Sequence, residues 1–143
     1  MKTPRKIEHR FVEEVPRERE EGVLYISIFY ATAVHNCFCG CGSKVVTPLS
    51  PVGWQLLFDG ESVSLFPSVG NWSFACRSHY IVRRDMALPS GQMSERQIAK
   101  GRKRDRANRD VFFETGELPP VKEALSKTRK KKKLLQRLLC DQG

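Results

Sequence analysis

Short runs of apolar residues, separated by turn-forming ones, dominate the middle of the chain. "VLYISIFY", from Val23, is dense in β-branched and aromatic residues and predicts a strand. Strand signals recur at "KVVTPL", interrupted by Pro48, at "GWQLLFDG", closed by Asp59-Gly60, and at "ESVSLFPS", where polar and apolar positions alternate. "HYIVRRDMAL" is the last. Turn punctuation falls at Ser50-Pro51, Asp59-Gly60 and Gly70-Asn71. The pattern predicts a small, mostly antiparallel β domain over residues 22–90. The period then lengthens from two to about 3.6. Ser94 with Gln97 forms a capping box, and "ERQIAKGRKRDRANRDVFF" follows as a helix whose weak point is Gly101. Gly116 and Pro119-Pro120 break it, and a second helix is expected from Val121 to about Leu139. The fold class is α+β: a small antiparallel β domain followed by C-terminal helices. An extended N-terminal arm (1–21) precedes the β domain with its helix (22–110), and a basic helical tail (111–143) follows. Phe11, Val12 and Val15 of the arm are expected to pack on the domain.

Composition changes this picture in two ways. The net charge of +9 sits almost wholly at one end. Residues 1–93 hold 10 Lys/Arg against 9 Asp/Glu, and residues 94–143 hold 15 against 7. "KGRKRDR" (100–106) and "RKKKK" (129–133) carry much of the excess. Such runs serve as a solvated helix face, a phosphate-binding surface or a dock for an acidic protein, and the sequence does not choose. Nucleic acid is not favoured, because no aromatic residue lies among the basic ones between Ser94 and Asp110. The second point concerns location. The first twenty residues are charged throughout, and the apolar stretch from Val23 is too short to span a bilayer. A cytoplasmic protein without a membrane association is expected, and there clustered cysteines more often hold metal than form disulfides.

The cysteines are clustered. In "HNCFCGCGSK", His35, Cys37, Cys39 and Cys41 occupy alternate positions, about 6.6 Å apart along a strand. A straight strand cannot bring them to one ion, but Gly40 and Gly42 let the chain curl. Downstream, Cys76 and His79 form a C-x-x-H pair in "CRSH". Zinc takes four nitrogen or sulfur ligands in a tetrahedron, so a Cys/His zinc site in the β domain is expected. Its candidate ligands are Cys37, Cys39, Cys41, Cys76 and His79, with His35 a sixth. A closed site needs only four. Cys140 reads as a small apolar residue of the last helix.

The run from Gly22 to Asp85 resembles a bacterial family of small metal-binding proteins encoded beside ubiquitin-like proteins and their activating and conjugating enzymes, in operons linked to phage defence. The resemblance covers residues 7 to about 110. Its most specific parts are "CGCG" (39–42), "TPLSP" (47–51), "SL-PS-GNW" (64–72) and "C-SHY" (76–80). Ile81 departs from the pattern, standing where relatives often carry tryptophan. The resemblance implies a ubiquitin-like partner and a processing or deconjugating peptidase activity. Two mechanisms suit the residues. In one, Zn2+ on three protein ligands (Cys41, Cys76 and His79, for instance) activates water, with His35 or a carboxylate moving protons. In the other, Cys37, Cys39, Cys41 and Cys76 close the zinc shell and His79 acts as general base for Ser68. Ser78 fits less well, since neighbours on a strand face opposite ways. Turn chemistry is the plain alternative for Ser68 in "FPSVGN". For the whole protein, the alternative is a non-catalytic zinc-stabilised module that binds the conjugation machinery or a nucleic acid.

Overall fold

The computed structural model describes residues 1–119. The helix expected over Val121–Leu139, with Cys140, lies outside the described residues. Within them the order is β1 (Arg5–Lys6), β2 (Glu8–Phe11), β3 (Val23–Ser27), β4 (Thr32–Asn36), β5 (Lys44–Pro48), β6 (Gln55–Phe58), β7 (Val63–Gly70), β8 (His79–Arg83), β9 (Met86–Pro89) and α1 (Glu95–Thr115). They make a five-stranded sheet, β1-β9-β8-β7-β6, and a four-stranded sheet, β2-β3-β4-β5. Leu24, Ile26, Ala33 and Val45 of the smaller sheet share one hydrophobic core with Val63, Leu65, Val69, Tyr80, Val82 and Ala87 of the larger. The architecture matches the α+β expectation except for its plural: among the described residues there is one helix.

The N-terminal arm is extended, and it is woven into both sheets. Residues Arg5 and Lys6 pair with Ala87 and Met86, whereas Glu8–Phe11 runs parallel to Val23–Ile26. Among the described strands it is the one parallel pair, beside an isolated parallel bridge at Leu49 and Trp54. A parallel neighbour needs a long return path, and residues 12–22 supply it by crossing the outer face of the smaller sheet. There Ser27 Oγ donates to the Glu13 carbonyl and the Glu20 N–H donates to Tyr25 Oη, so β3 is buried on both faces. Ile7 between the two strands is buried, Val12 and Val15 are half-buried, and Phe11 stays 46% exposed.

Two apolar runs divide where no break was expected. "VLYISIFY" ends as a strand at Ser27, and Ile28, Phe29 and Tyr30 form an exposed turn leading into β4, an element the residue pattern did not reveal. "HYIVRRDMAL" folds back at Arg84-Asp85, both with positive φ (47° and 57°), as two-residue hairpins require. The Asp85 carboxylate braces that turn by accepting from the Val63 N–H and contacting His9 Nδ1 at 2.9 Å. Ser94 and Gln97 cap α1 reciprocally, and Gly116, at φ 73°, ends it. Gly101 does not interrupt the helix, and Ile98 is its one buried residue.

Candidate active site and metal centre

After Asn36 the chain leaves β4 and coils back. The Cys37 N–H donates to the Ser43 carbonyl, and Gly40 and Gly42 take positive φ (93° and 80°). Those angles are cheap only for glycine. The coil converges Cys37, Cys39 and Cys41, and the loop between β7 and β8 brings up Cys76, so that all four sulfurs lie within 4.8 Å of one another. Cys37 Sγ is 3.3 Å from Cys39 Sγ and 3.9 Å from Cys76 Sγ, far beyond a disulfide bond. Zinc–sulfur bonds of about 2.3 Å in a tetrahedron separate the sulfurs by about 3.8 Å. The four thiols therefore fit one tetrahedral ion. Burial pushes the Cys39 thiol up to about 12, whereas hydrogen bonding with Ser43 pulls Cys41 down to about 6.

The cluster has a polar surround. Ser78 Oγ lies 3.0 Å from Cys37 Sγ and 3.4 Å from Cys76 Sγ. Asn71 Nδ2 donates to Ser78 Oγ at 3.0 Å and to Tyr80 Oη at 3.3 Å. His35 joins the far end of this network, with Nε2 2.8 Å from Tyr80 Oη and its ring stacked on Phe38 at 4.1 Å. It is fully buried, and burial holds its pKa down to about 3. The structure thus puts His35 in the core as a neutral ring.

His79 is elsewhere. Strand alternation turns it to the face opposite Ser78 and Tyr80, and it lies outside the four-thiol group. Its Nδ1 is 2.6 Å from the Gly91 carbonyl and its Nε2 is 2.9 Å from Ser68 Oγ. A carbonyl only accepts, so Nδ1 carries the proton and Nε2 is left to accept from the serine hydroxyl. The register explains the encounter. Gly70 opposes His79 across β7–β8, and Ser68, two residues earlier, is its diagonal neighbour on the same face. The ladder is irregular just before this point, between Leu65 and Val69. Trp72 packs against the imidazole, centroid to centroid 4.9 Å. A Cβ on Gly70 would stand 2.4 Å from Trp72 Nε1, so glycine there makes room for the indole. A groove lined by Pro16, Tyr30, Val34 and Val46 belongs to the other sheet and includes neither Ser68 nor His79.

Of the residues singled out from sequence, the structure brings the four cysteines together in one group and pairs Ser68 with His79. It keeps His35 apart from that pair. Sequence reasoning read Asn71 only as part of a turn and gave no role to Trp72 or Gly91. Asn71 and Trp72 stand inside the quoted "GNW", so a signal was present. The Gly91 contact is a backbone carbonyl, for which no residue type is diagnostic.

A serine hydroxyl on an imidazole whose other nitrogen is fixed is an arrangement that can activate the serine as a nucleophile. The model of the family described as "Bacterial ubiquitination-like system serine protease (BubE)" matches residues 11–88. That is more than half of the chain, and the protein belongs to this family, which ties it to a bacterial ubiquitination-like system. The matched span contains every candidate ligand as well as Ser68 and His79, in line with the resemblance read from "CGCG" and "C-SHY". Comparison with curated proteins and with solved structures finds no match. Among the described residues, no helix is long and apolar enough to cross a membrane.

Proposed function

We propose that the protein is a serine peptidase that processes or deconjugates the ubiquitin-like protein of its system. Ser68 is the nucleophile, His79 the general base, and Cys37, Cys39, Cys41 and Cys76 hold a structural Zn2+. One observation carries the reading: the hydrogen-bonded series Ser68 Oγ, His79 Nε2, His79 Nδ1, Gly91 carbonyl. Ser68 Oγ attacks the scissile carbonyl while its proton passes to Nε2. The C–N bond then breaks, the proton leaves with the amine, and an ester on Ser68 remains. Water, deprotonated by the same nitrogen, hydrolyses that ester and restores the serine. The Gly91 carbonyl does the orienting that a carboxylate does in a triad, fixing tautomer and ring angle without adding a charge. Bound zinc contributes folding energy to so small a domain. Four thiols fill a tetrahedral shell and both ring nitrogens of His79 are engaged, which favours this route over a zinc-activated water.

The family's description supports the substrate class, and the partners follow from it: the ubiquitin-like protein and its activating and conjugating enzymes. The test is incubation with a precursor of that ubiquitin-like protein, followed by mass spectrometry. Wild type is expected to trim the C-terminus and to react with a fluorophosphonate at Ser68, whereas Ser68→Ala and His79→Ala do neither. If wild type leaves precursors and conjugates intact and Ser68 unlabelled, a non-catalytic zinc-stabilised module replaces the peptidase.

A further inference from the structure

The sheet that carries Ser68 is open on one side at that point. The β6–β7 ladder runs from Phe58↔Val63 to Gln55↔Phe66 and stops there. The next rung would set Trp54 beside Pro67. Trp54 has turned away, its N–H donating to the Pro48 carbonyl and its carbonyl accepting from the Ser50 N–H. Among the described residues, 67–70 of β7 therefore have β8 on one side and no strand on the other.

Two hydrogen bonds fix which backbone groups face the gap. The Asn71 N–H donates to the Ser78 carbonyl, and the His79 carbonyl accepts from the Ser90 N–H on the β9 side. Gly70 and His79 are thus a non-hydrogen-bonded pair. The N–H and C=O of Gly70 point away from β8 into the gap, and among the described residues neither has a hydrogen bond outside the ladder. Gly70 is exposed, as are Phe66 and Pro67.

From this edge we infer how the substrate is held: an extended peptide segment pairs backbone to backbone with β7 at Gly70, as an added strand, and so lays its scissile carbonyl beside Ser68. The inference rests on the peptidase reading and deepens it. An unpaired edge recognises an extended main chain whatever its side chains. The occupant is the substrate's own tail, because the same strand carries the open edge and, two residues away, the hydroxyl that must meet the peptide. Recognition is then of main-chain amides at alternate positions, with side chains secondary.

The experiment uses the full chain and synthetic peptides that span the cleaved bond of the ubiquitin-like precursor, each N-methylated at one backbone amide. Cleavage is expected to slow about tenfold or more when the methyl falls on an amide facing β7, the worth of roughly one hydrogen bond. Methylation at the intervening positions should change the rate less than about twofold, since those amides face away. In parallel, amide hydrogen exchange on Ser68→Ala protein reads Gly70 directly, and its N–H should exchange at least ten times more slowly with unmodified peptide bound. Tolerance of every N-methyl, with fluorophosphonate labelling of Ser68 intact, overturns the added strand and spares the peptidase. A Gly70 amide already protected in free protein that sediments as a dimer also overturns it, because a second copy then occupies the edge. Protection of Gly70 by peptide without any Ser68 labelling upholds the edge and removes the peptidase.

Discussion

The two faces of β8 divide two kinds of work. Ser78 and Tyr80 look inward, and every polar atom they present has a partner among Asn71, His35 and the cysteine sulfurs. His79, between them, looks outward to one hydroxyl and one carbonyl. The inner face is a dense polar network in the core, where leaving any group unpaired is costly. On the outer face the imidazole is buried beside Trp72, and the hydroxyl it meets is only half-buried. A single strand with period two thus serves a candidate metal centre and a candidate reactive pair at once. The inner face is expected to be lost only together with the outer one, whereas the outer face is expected to be lost alone.

The largest expected effect tests the dependent direction. Cys37→Ser or Cys76→Ser should abolish stoichiometric zinc by elemental analysis, lower Tm by more than about 10 °C, and remove trimming activity, since structural zinc supplies much of the folding free energy of small sites. A variant that keeps its Tm would separate the metal from the fold. Ser68→Ala and His79→Ala should do the reverse. We expect turnover to fall by at least about a thousandfold while Tm moves by no more than a few degrees. A metal content below one per chain in either variant would show that the faces are not independent in that direction. Intermediate in size is Ser78→Ala, which removes the hydroxyl between Cys37 and Cys76. Loss of such an outer contact typically weakens metal binding by about 10–100-fold. Competition with a chromophoric chelator measures this, and turnover at saturating zinc should be preserved. The smallest effect is the control. Ser94→Ala deletes the cap of α1 and should cost about 1 kcal/mol of stability, read as a Tm shift of a few degrees with zinc content and turnover unaffected.

Much of this arrangement was legible in the sequence, because its signals were local. The alternating cysteines with Gly40 and Gly42 predict a coil that converges thiols, and the four sulfurs do converge. Ser94 and Gln97 predict the helix start, which lies where they put it. Other features depended on distant partners. Ile28–Tyr30 looks like the continuation of a strand, but the turn into β4 is dictated by pairing with Thr32–Val34. The Arg84-Asp85 turn has neither glycine nor asparagine, and Val63 and His9, far along the chain, hold it through the Asp85 carboxylate. The parallel docking of β2 leaves no periodic trace. For the site, counting ligands showed a surplus and left His79 between two roles. Only the register of β7 against β8 brings it to Ser68, and the irregularity between Leu65 and Val69 that precedes this pairing cannot be read from residue types.

The arm bears on the order in which the chain can fold. Arg5 pairs with Ala87, and Arg5 Nη1 also donates to the Phe38 carbonyl. Among the described strands, β1 is therefore made before all the others and has its sheet partner in β9, which is made after them. Such distant pairing closes slowly, because a long loop must be ordered before the contact repays it. While it waits, Ile7 has no core to enter. The nascent domain is expected to leave Ile7 exposed until the β8–β9 hairpin has emerged, making β1 the last of the described strands to be secured.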